Sequence, residues 1–272
     1  MLNKYAIYKR VAVSFLNTAA TFLFLSLFLC LIGFVVYRIG GARIIYPILL
    51  ILSCIGLVTF FLSEIIVNII LNAKTPDPEQ HRDFIDGMQE LCKQAAVIYQ
   101  PCPRLRIMEK SSPNACAYGI GFLGQYSVAI TQSLYDMLSR DELKAVLAHE
   151  LAHIRCKDTG VLSMMNILSN GGKTLSLWML SGALGPIGYV FGGVIYSFSK
   201  IIFPFGLSAI SVQREYAADA LGSLYHGNPD DLKSALIKIS GVGSTESSMF
   251  DDMFVSHPSM ANRIEALNSY LK

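Results

Sequence analysis

"SRDELKAVLAHELAHI", residues 139–154, decides how this chain is read. Ser139 and Glu142 stand at capping-box spacing, the mark of a helix start. Leu143, Val146, Leu147 and Leu151 then recur on one face of that helix. His149 and His153 are four residues apart, one turn, so both imidazoles point the same way, and Glu150 directly follows the first. Two neutral nitrogens on one face can grip a metal ion, and a glutamate at that place reaches a water held by the ion. A zinc ion lowers the pKa of its water to about 7, and the glutamate takes the proton as that water attacks an amide. The chain holds five histidines, so an HExxH arising by chance is roughly a one-in-a-few-hundred event.

Catalytic zinc normally keeps three protein ligands and one open position. The continuation HExxHxxGxxH would supply the third, but "IRCKDTG" follows His153 and contains no histidine. A distant element must provide it. "SVQREYAADALGSLYHGNP", 211–229, reads as a helix with a Gly-Asn-Pro stop, and Glu215 and Asp219 lie one turn apart on it. One of the two can bind metal while the other holds a ligand histidine, since outer carboxylates fix imidazole orientation and basicity.

The rest of the chain is built for lipid. Of 272 residues 53% are hydrophobic and only 15% charged, with mean hydropathy +0.45. A soluble domain carries about a quarter charged residues. Val11 to Tyr37 is uncharged, between Arg10 and Arg38, and a second run from Ile44 meets its first charge at Glu64. At 1.5 Å per residue each matches or exceeds a hydrocarbon core of roughly 30 Å. Two spanning helices, over about 11–37 and 44–66, are expected, and "KTPDPEQH", 74–81, closes this hairpin with two prolines. The net charge of +2, with no basic run and no aromatic platform, excludes nucleic acid as a partner. Six cysteines without a CxxC pair indicate neither a zinc ribbon nor a disulfide framework, and point mildly to a reducing, cytosol-facing compartment.

Between hairpin and metal helix, residues 79–100 read as an amphipathic helix. "RLRIM" (104–108), "ACAYG" (115–119) and "SVAIT" (127–131) read as short strands. A strand of small residues beside the metal helix can offer its edge to an extended peptide, with Asn114 touching the substrate backbone. "HPSMANRIEAL", 257–267, reads as a terminal helix with Pro258 at its first position. The stretch 159–213 carries only Lys173 and Lys200 as charges and includes Gly188 and Gly192 at GxxxG spacing. A close-packed membrane hairpin and a groove for apolar substrates are both open for it. Because its two ends must meet one ion, it crosses a bilayer zero times or twice.

HExxH at 149–153, ExxxD at 215–219, Pro113-Asn114-Ala115 upstream and His257-Pro258 near the end resemble the HtpX-type membrane zinc metalloproteases, relatives of the CAAX-prenyl endoproteases. The resemblance covers nearly the whole chain. It implies that His149, His153 and Glu215 bind one Zn2+ per chain, that Glu150 is the catalytic base, and that Asp219 supports a histidine. It also implies that His257 and Arg263 lie near the zinc and stabilise the oxyanion. Such proteins usually read Asn-Ala-Phe-Ala where this chain has "NACA", 114–117, with Cys116 as the departure.

The expected architecture is α+β, mainly α: an N-terminal transmembrane hairpin (1–73), then a zincin-like, gluzincin catalytic domain in two parts (74–158 and 211–272). A hydrophobic hairpin (159–210) is inserted between those parts. The expected function is a zinc endopeptidase, embedded in a bacterial inner membrane and facing the cytoplasm. By resemblance its substrates are membrane or misfolded proteins, in quality control. The competing reading is a catalytically silent membrane scaffold that keeps the metal for stability.

Overall fold

The computed structural model describes residues 3–40, 67–94, 102–109, 111–120, 125–160, 185–197, 203–241 and 259–269, with scattered positions between 46 and 65 and between 173 and 181. The helices are α1 (Lys4–Gly40), α2 (Arg82–Gln94), α3 (Gln132–Met137), α4 (Arg140–Arg155), α5 (Gly185–Ser197), α6 (Phe203–His226), α7 (Pro229–Gly241) and α8 (Met260–Ser269). The strands are β1 (Arg104–Met108), β2 (Ala115–Ile120) and β3 (Gln125–Thr131). The fold is mainly helical α+β, as the sequence implies.

The sheet has the order β1-β3-β2, with β1 parallel and β2 antiparallel to β3. Lys74 exchanges two backbone hydrogen bonds with Ile107 and so covers the outer edge of β1. Among the described residues nothing pairs with the outer edge of β2, and this is the edge strand that packs against α4. Alternation along β2 sends Ala115 and Ala117 to the main core. Cys116 and Tyr118 go to the opposite side, a small cluster with Leu71, Met108 and Ala129. Cys116, the departure from the family pattern, therefore faces away from α4.

The main core collects Phe84, Met88 and Leu91 of α2, Val128 and Ile130 of β3, and Leu143, Leu147 and Leu151 of α4. Leu232 and Leu236 of α7 and Leu267 of α8 close it. Each such side chain contributes about 1.5–3 kcal/mol on leaving water. Helix α4 starts as its sequence dictates, with both hydrogen bonds of the Ser139–Glu142 capping box in place. Glu142 also accepts from Ser234 and Lys238 of α7, each at 2.6 Å, which ties the start of α4 to that helix.

Helix α1 packs against the rest of the fold. Ile7, Ser14 and Thr18 are buried and Val11 is half-buried, a stripe at spacings of four, three and four. That stripe lies against α6, while Phe15, Leu16, Leu23 and Leu27 are exposed. Arg10 stacks its guanidinium 5.1 Å from the Tyr216 ring centre. Among the described residues no helix is long and apolar enough to cross a membrane. Many side chains of α1 beyond residue 20 and most of residues 41–66 lie outside the described set, and the two expected spans fall largely on them. Glu64, the first charge after the second uncharged run, is buried and accepts from Ser127 and Arg104.

One expectation changes. Cys92 and Cys102 are joined by a disulfide with Cα atoms 5.9 Å apart. A search for CxxC spacing misses it, because the return of the chain from α2 to β1 brings the two together. Unpaired cysteines therefore no longer point to a reducing compartment. The amphipathic helix of 79–100 is described from Arg82 to Gln94. Helix α6 begins at Phe203 and runs unbroken through residue 211, so the expected boundary at 210 falls inside one helix. Within 159–210, residues 161–172 and 198–202 are among those outside the described residues. In α5, Gly188 and Gly192 are buried whereas Tyr189, Val190 and Val194 are exposed.

Candidate metal centre

Two helices with small residues at their crossing build the site. Ala148 and Ala152 of α4 and Ala218 of α6 are fully buried. Gly222 of α6 lies so close to α4 that a Cβ there would stand 2.9 Å from the His149 Cα and backbone N. Large side chains would hold the axes apart. Small ones let α6 bring Glu215 and Asp219 up to the two histidines.

The three expected ligands converge. His149 Nε2 and His153 Nε2 are 3.1 Å apart, and each is 3.5 Å from an oxygen of Glu215. Among the described residues these form the one group of three able to hold an ion. Ligand bonds of about 2.0–2.1 Å in a tetrahedron require ligand–ligand separations of about 3.3 Å, and the nitrogen–nitrogen distance of 3.1 Å and the shortest nitrogen–carboxylate distances of 3.5 Å lie on either side of that value.

The outer contacts say which nitrogens are free to bind. His149 Nδ1 lies 2.9 Å from Asp219 Oδ1, and His153 Nδ1 lies 2.9 Å from Asp158 Oδ2. Asp158 is hydrogen-bonded to His153 Nδ1, and Asp219 stands within reach of His149 Nδ1 without a well-aligned bond; with the ring protons on that side, both Nε2 atoms offer lone pairs. Two lone pairs and a carboxylate aimed at one point repel unless a cation sits among them. Charge agrees. Glu150, Glu215, Asp219 and Asp158 are buried with Arg214 and Arg263, so four carboxylates face two guanidiniums and two negative charges remain for a dication to balance. Burial works against a proton on His153, yet the Glu215 and Glu150 carboxylates outweigh it and raise its pKa. The pocket attracts positive charge in whatever form is offered.

Arg263 of α8 grips Asp219 with Nε at 2.9 Å and Nη2 at 2.6 Å, and its Nη1 is 3.3 Å from Glu215. Burial would raise the Asp219 carboxyl, but the Arg263 charge and the His149 contact hold it below the usual range. Arg263 thus stands behind the ligands, with its guanidinium engaged by the acids of α6. Glu150 is buried next to His149 and near enough to His153 and Arg263 to favour their charged forms. Asn114 lies just ahead of β2, and its backbone N–H and C=O both bond Thr131. His257 is outside the described residues. His81 bonds Gln132 and His226 contacts Asp231, both structural and away from this group.

Asp158 is the member that sequence reasoning missed. Helix α4 ends at Cys156, and Lys157 takes a left-handed φ of 58° that turns the chain back. Asp158 is thereby returned to the His153 ring, and its other oxygen is bonded by Arg214. The signal was an acid five residues beyond His153, without a glycine to announce the turn.

Comparison with known proteins agrees with this geometry. The profile of the family described as "Peptidase family M48" matches residues 78–271. A relative described as "Protease HtpX homolog" from Pyrococcus abyssi (strain GE5 / Orsay) is 30% identical over 284 residues, covering 93% of this chain and 94% of that one. A second of the same description, from Aeropyrum pernix, is 29% identical over 212 residues, covering 74% of this chain and 65% of its own. Among solved structures, that of S. mikatae Ste24p superposes with a TM-score of 0.57 at 19% identity, over 95% of this chain and 66% of that one, a likeness of fold.

Proposed function

We propose, because this chain belongs to peptidase family M48 and is a metalloprotease, that it works as a membrane-embedded zinc endopeptidase. Its substrates are membrane or misfolded proteins met at the cytosolic face, in a quality-control role. The observation that carries the metal chemistry is the convergence of His149 Nε2, His153 Nε2 and the Glu215 carboxylate: the two nitrogens are 3.1 Å apart, and each lies 3.5 Å from a different Glu215 oxygen. The protein substrates follow from the family, and the lipid setting is supported by the uncharged run 11–37 and the exposed Phe15, Leu16, Leu23 and Leu27.

A zinc ion held by these three residues would supply a water of pKa about 7 and polarise the scissile carbonyl. Everything else is done by the chain. Asp219 and Asp158 keep the Nδ1 protons in place, so that both Nε2 atoms stay available. The Glu150 carboxylate takes the proton of the attacking water and returns it to the nitrogen of the leaving amine. An extended substrate lies along the free edge of β2, where backbone hydrogen bonds align any sequence, and Asn114 meets it at the start of that strand. Arg263, already bound to Asp219 and Glu215, lends its charge to a developing oxyanion; His257 is the second donor in this reading.

The test is zinc-dependent cleavage of an unfolded protein such as casein by the full chain in detergent, compared with Glu150→Gln. Cleavage that zinc restores after chelation and that Glu150→Gln lacks is expected. Bound metal without cleavage in the unaltered protein would instead favour the silent scaffold.

A further inference from the structure

The buried contacts behind His153 do not end at Asp158. Its second oxygen is bonded by Arg214 Nη1, and Arg214 Nη2 donates to Thr18 Oγ1 at 3.1 Å. Thr18 in turn donates to the Ser14 carbonyl at 2.9 Å, so its hydroxyl orientation is set and a lone pair faces Arg214. Asp158, Arg214 and Thr18 are 2%, 4% and 6% exposed, and the chain of contacts is closed to water. Thr18 and Arg214 are 196 residues apart in sequence. Arg214 directly precedes Glu215, and Tyr216, which directly follows it, is the residue under Arg10 of α1. Helix α1 therefore holds α6 on both sides of the third expected ligand.

We propose that Asp158, gripped by Arg214 that is itself seated on Thr18, is a positioning residue for His153, and that the docking of α1 thereby sets how tightly the centre holds its metal. A carboxylate behind a ligand histidine acts by fixing the ring and its tautomer. A lone Asp158 carboxylate could rotate, whereas one held by a fixed guanidinium keeps a single aim. Arg214, buried from solvent, needs a neutral acceptor on the side away from Asp158, and the Thr18 hydroxyl is that acceptor. A helix that reads as a membrane anchor is thus also part of the support of the metal, and a shift of α1 would reach His153 through three side chains.

This inference rests on the metal-centre reading above, and its test separates the two. The full-length chain in detergent is titrated with zinc against a chromophoric chelator. Visible absorption of the cobalt-loaded protein reports ligand geometry. Asp158→Ala is expected to bind zinc about 10–100-fold more weakly, and Asp158→Asn, which keeps an acceptor but loses the charge, to fall between. Thr18→Val, nearly isosteric, is expected to weaken binding about three- to tenfold and shift the cobalt bands, with Thr18→Ser restoring both. Metal-free melting curves check that each variant is folded; where Asp158→Ala is not, Asp158→Asn carries the same comparison. Unchanged affinity in the Asp158 variants overturns the positioning role. Unchanged affinity and cobalt bands in Thr18→Val overturn the link to α1. An unaltered chain that binds no metal overturns the metal centre and this inference together.

Discussion

Gly222 touches the backbone of His149: the missing Cβ would lie 2.9 Å from both Cα and N of that residue, and 3.1 Å from the carbonyl carbon of Ala148. Backbone cannot step aside as a flexible side chain can. Gly222→Ala must therefore separate α4 and α6 by some tenths of an ångström at the level of the metal ligands. The helix itself would gain from alanine, by about 1 kcal/mol. The expected outcome is a lower melting temperature despite that gain, and zinc affinity reduced by tenfold or more. A more stable protein with full affinity would mean that the helices cross elsewhere.

The roles of the two site glutamates separate by measuring metal and cleavage on the same samples. Glu150→Gln should keep about one zinc per chain and lose peptidase activity, because that residue moves protons and does not hold the ion. Glu215→Ala should lose both. Zinc lost in the first and retained in the second would reverse the assignments.

Arg263 offers a choice between two functions. As the partner of Asp219 it compensates a buried carboxylate, and its removal leaves that charge stranded, a loss of about 3–5 kcal/mol. Arg263→Lys keeps the charge but loses the two-pronged grip on Asp219. If support of His149 is its main work, the Lys variant binds zinc more weakly and melts earlier. If transition-state charge is its main work, zinc affinity holds while kcat falls. The 2.6 and 2.9 Å contacts to Asp219 favour the first outcome.

Glu142 links local capping to global stability. Burial would raise its pKa, but the Lys238, Ser234 and Ser139 contacts prevail and bring it from an ordinary 4.5 to about 2. A depressed pKa means that the folded state favours the charged form. The stabilisation is fully present above about pH 4.5 and is lost as pH falls toward 2. Glu142→Gln should lower the melting temperature at pH 7 and flatten its fall between pH 4.5 and 2. A variant with the same acid profile as the parent would remove Glu142 from the list of acid-sensitive contacts.

What could be read from the sequence was local. The three strands emerge within a residue or two because small and β-branched residues between turn signals leave little choice. The capping box sets the start of α4 for the same reason. Glu215 and Asp219 could be picked out together because one helical turn relates them. Asp158 could not, since its place depends on a left-handed turn at Lys157, where no glycine marks the bend. Thr18 and Ser14 lie within the uncharged run 11–37, where spacing alone gives them no partner. Only the packing of α1 on α6 shows them buried on the protein side. Nothing local in the sequence singles out Arg214, because its partners Asp158 and Thr18 come from segments far apart along the chain.

The placement of α1 also bears on topology. Ile7 is fully buried in the same core as Phe84, Leu147, Leu232 and Leu267, so the start of α1 shares a side with both halves of the catalytic domain. The metal ligands require the same of those halves, because His149 and His153 precede the apolar stretch 159–213 and Glu215 follows it. Lys4, Lys9 and Arg10 before the first apolar run outnumber Arg38 and Arg43 after it, and many basic residues follow the second run, a bias from which the cytosol is the expected place of this shared side. Single cysteines can check it, in a chain whose free native cysteines are replaced by serine and which is held in sealed vesicles. Those near Lys4, Arg82 and Asp230 should react with an impermeant maleimide from one side, and one near Gly40 from the other. If positions 4 and 230 label from opposite sides, Ile7 cannot lie in that core; if positions 82 and 230 do, the three ligands cannot meet.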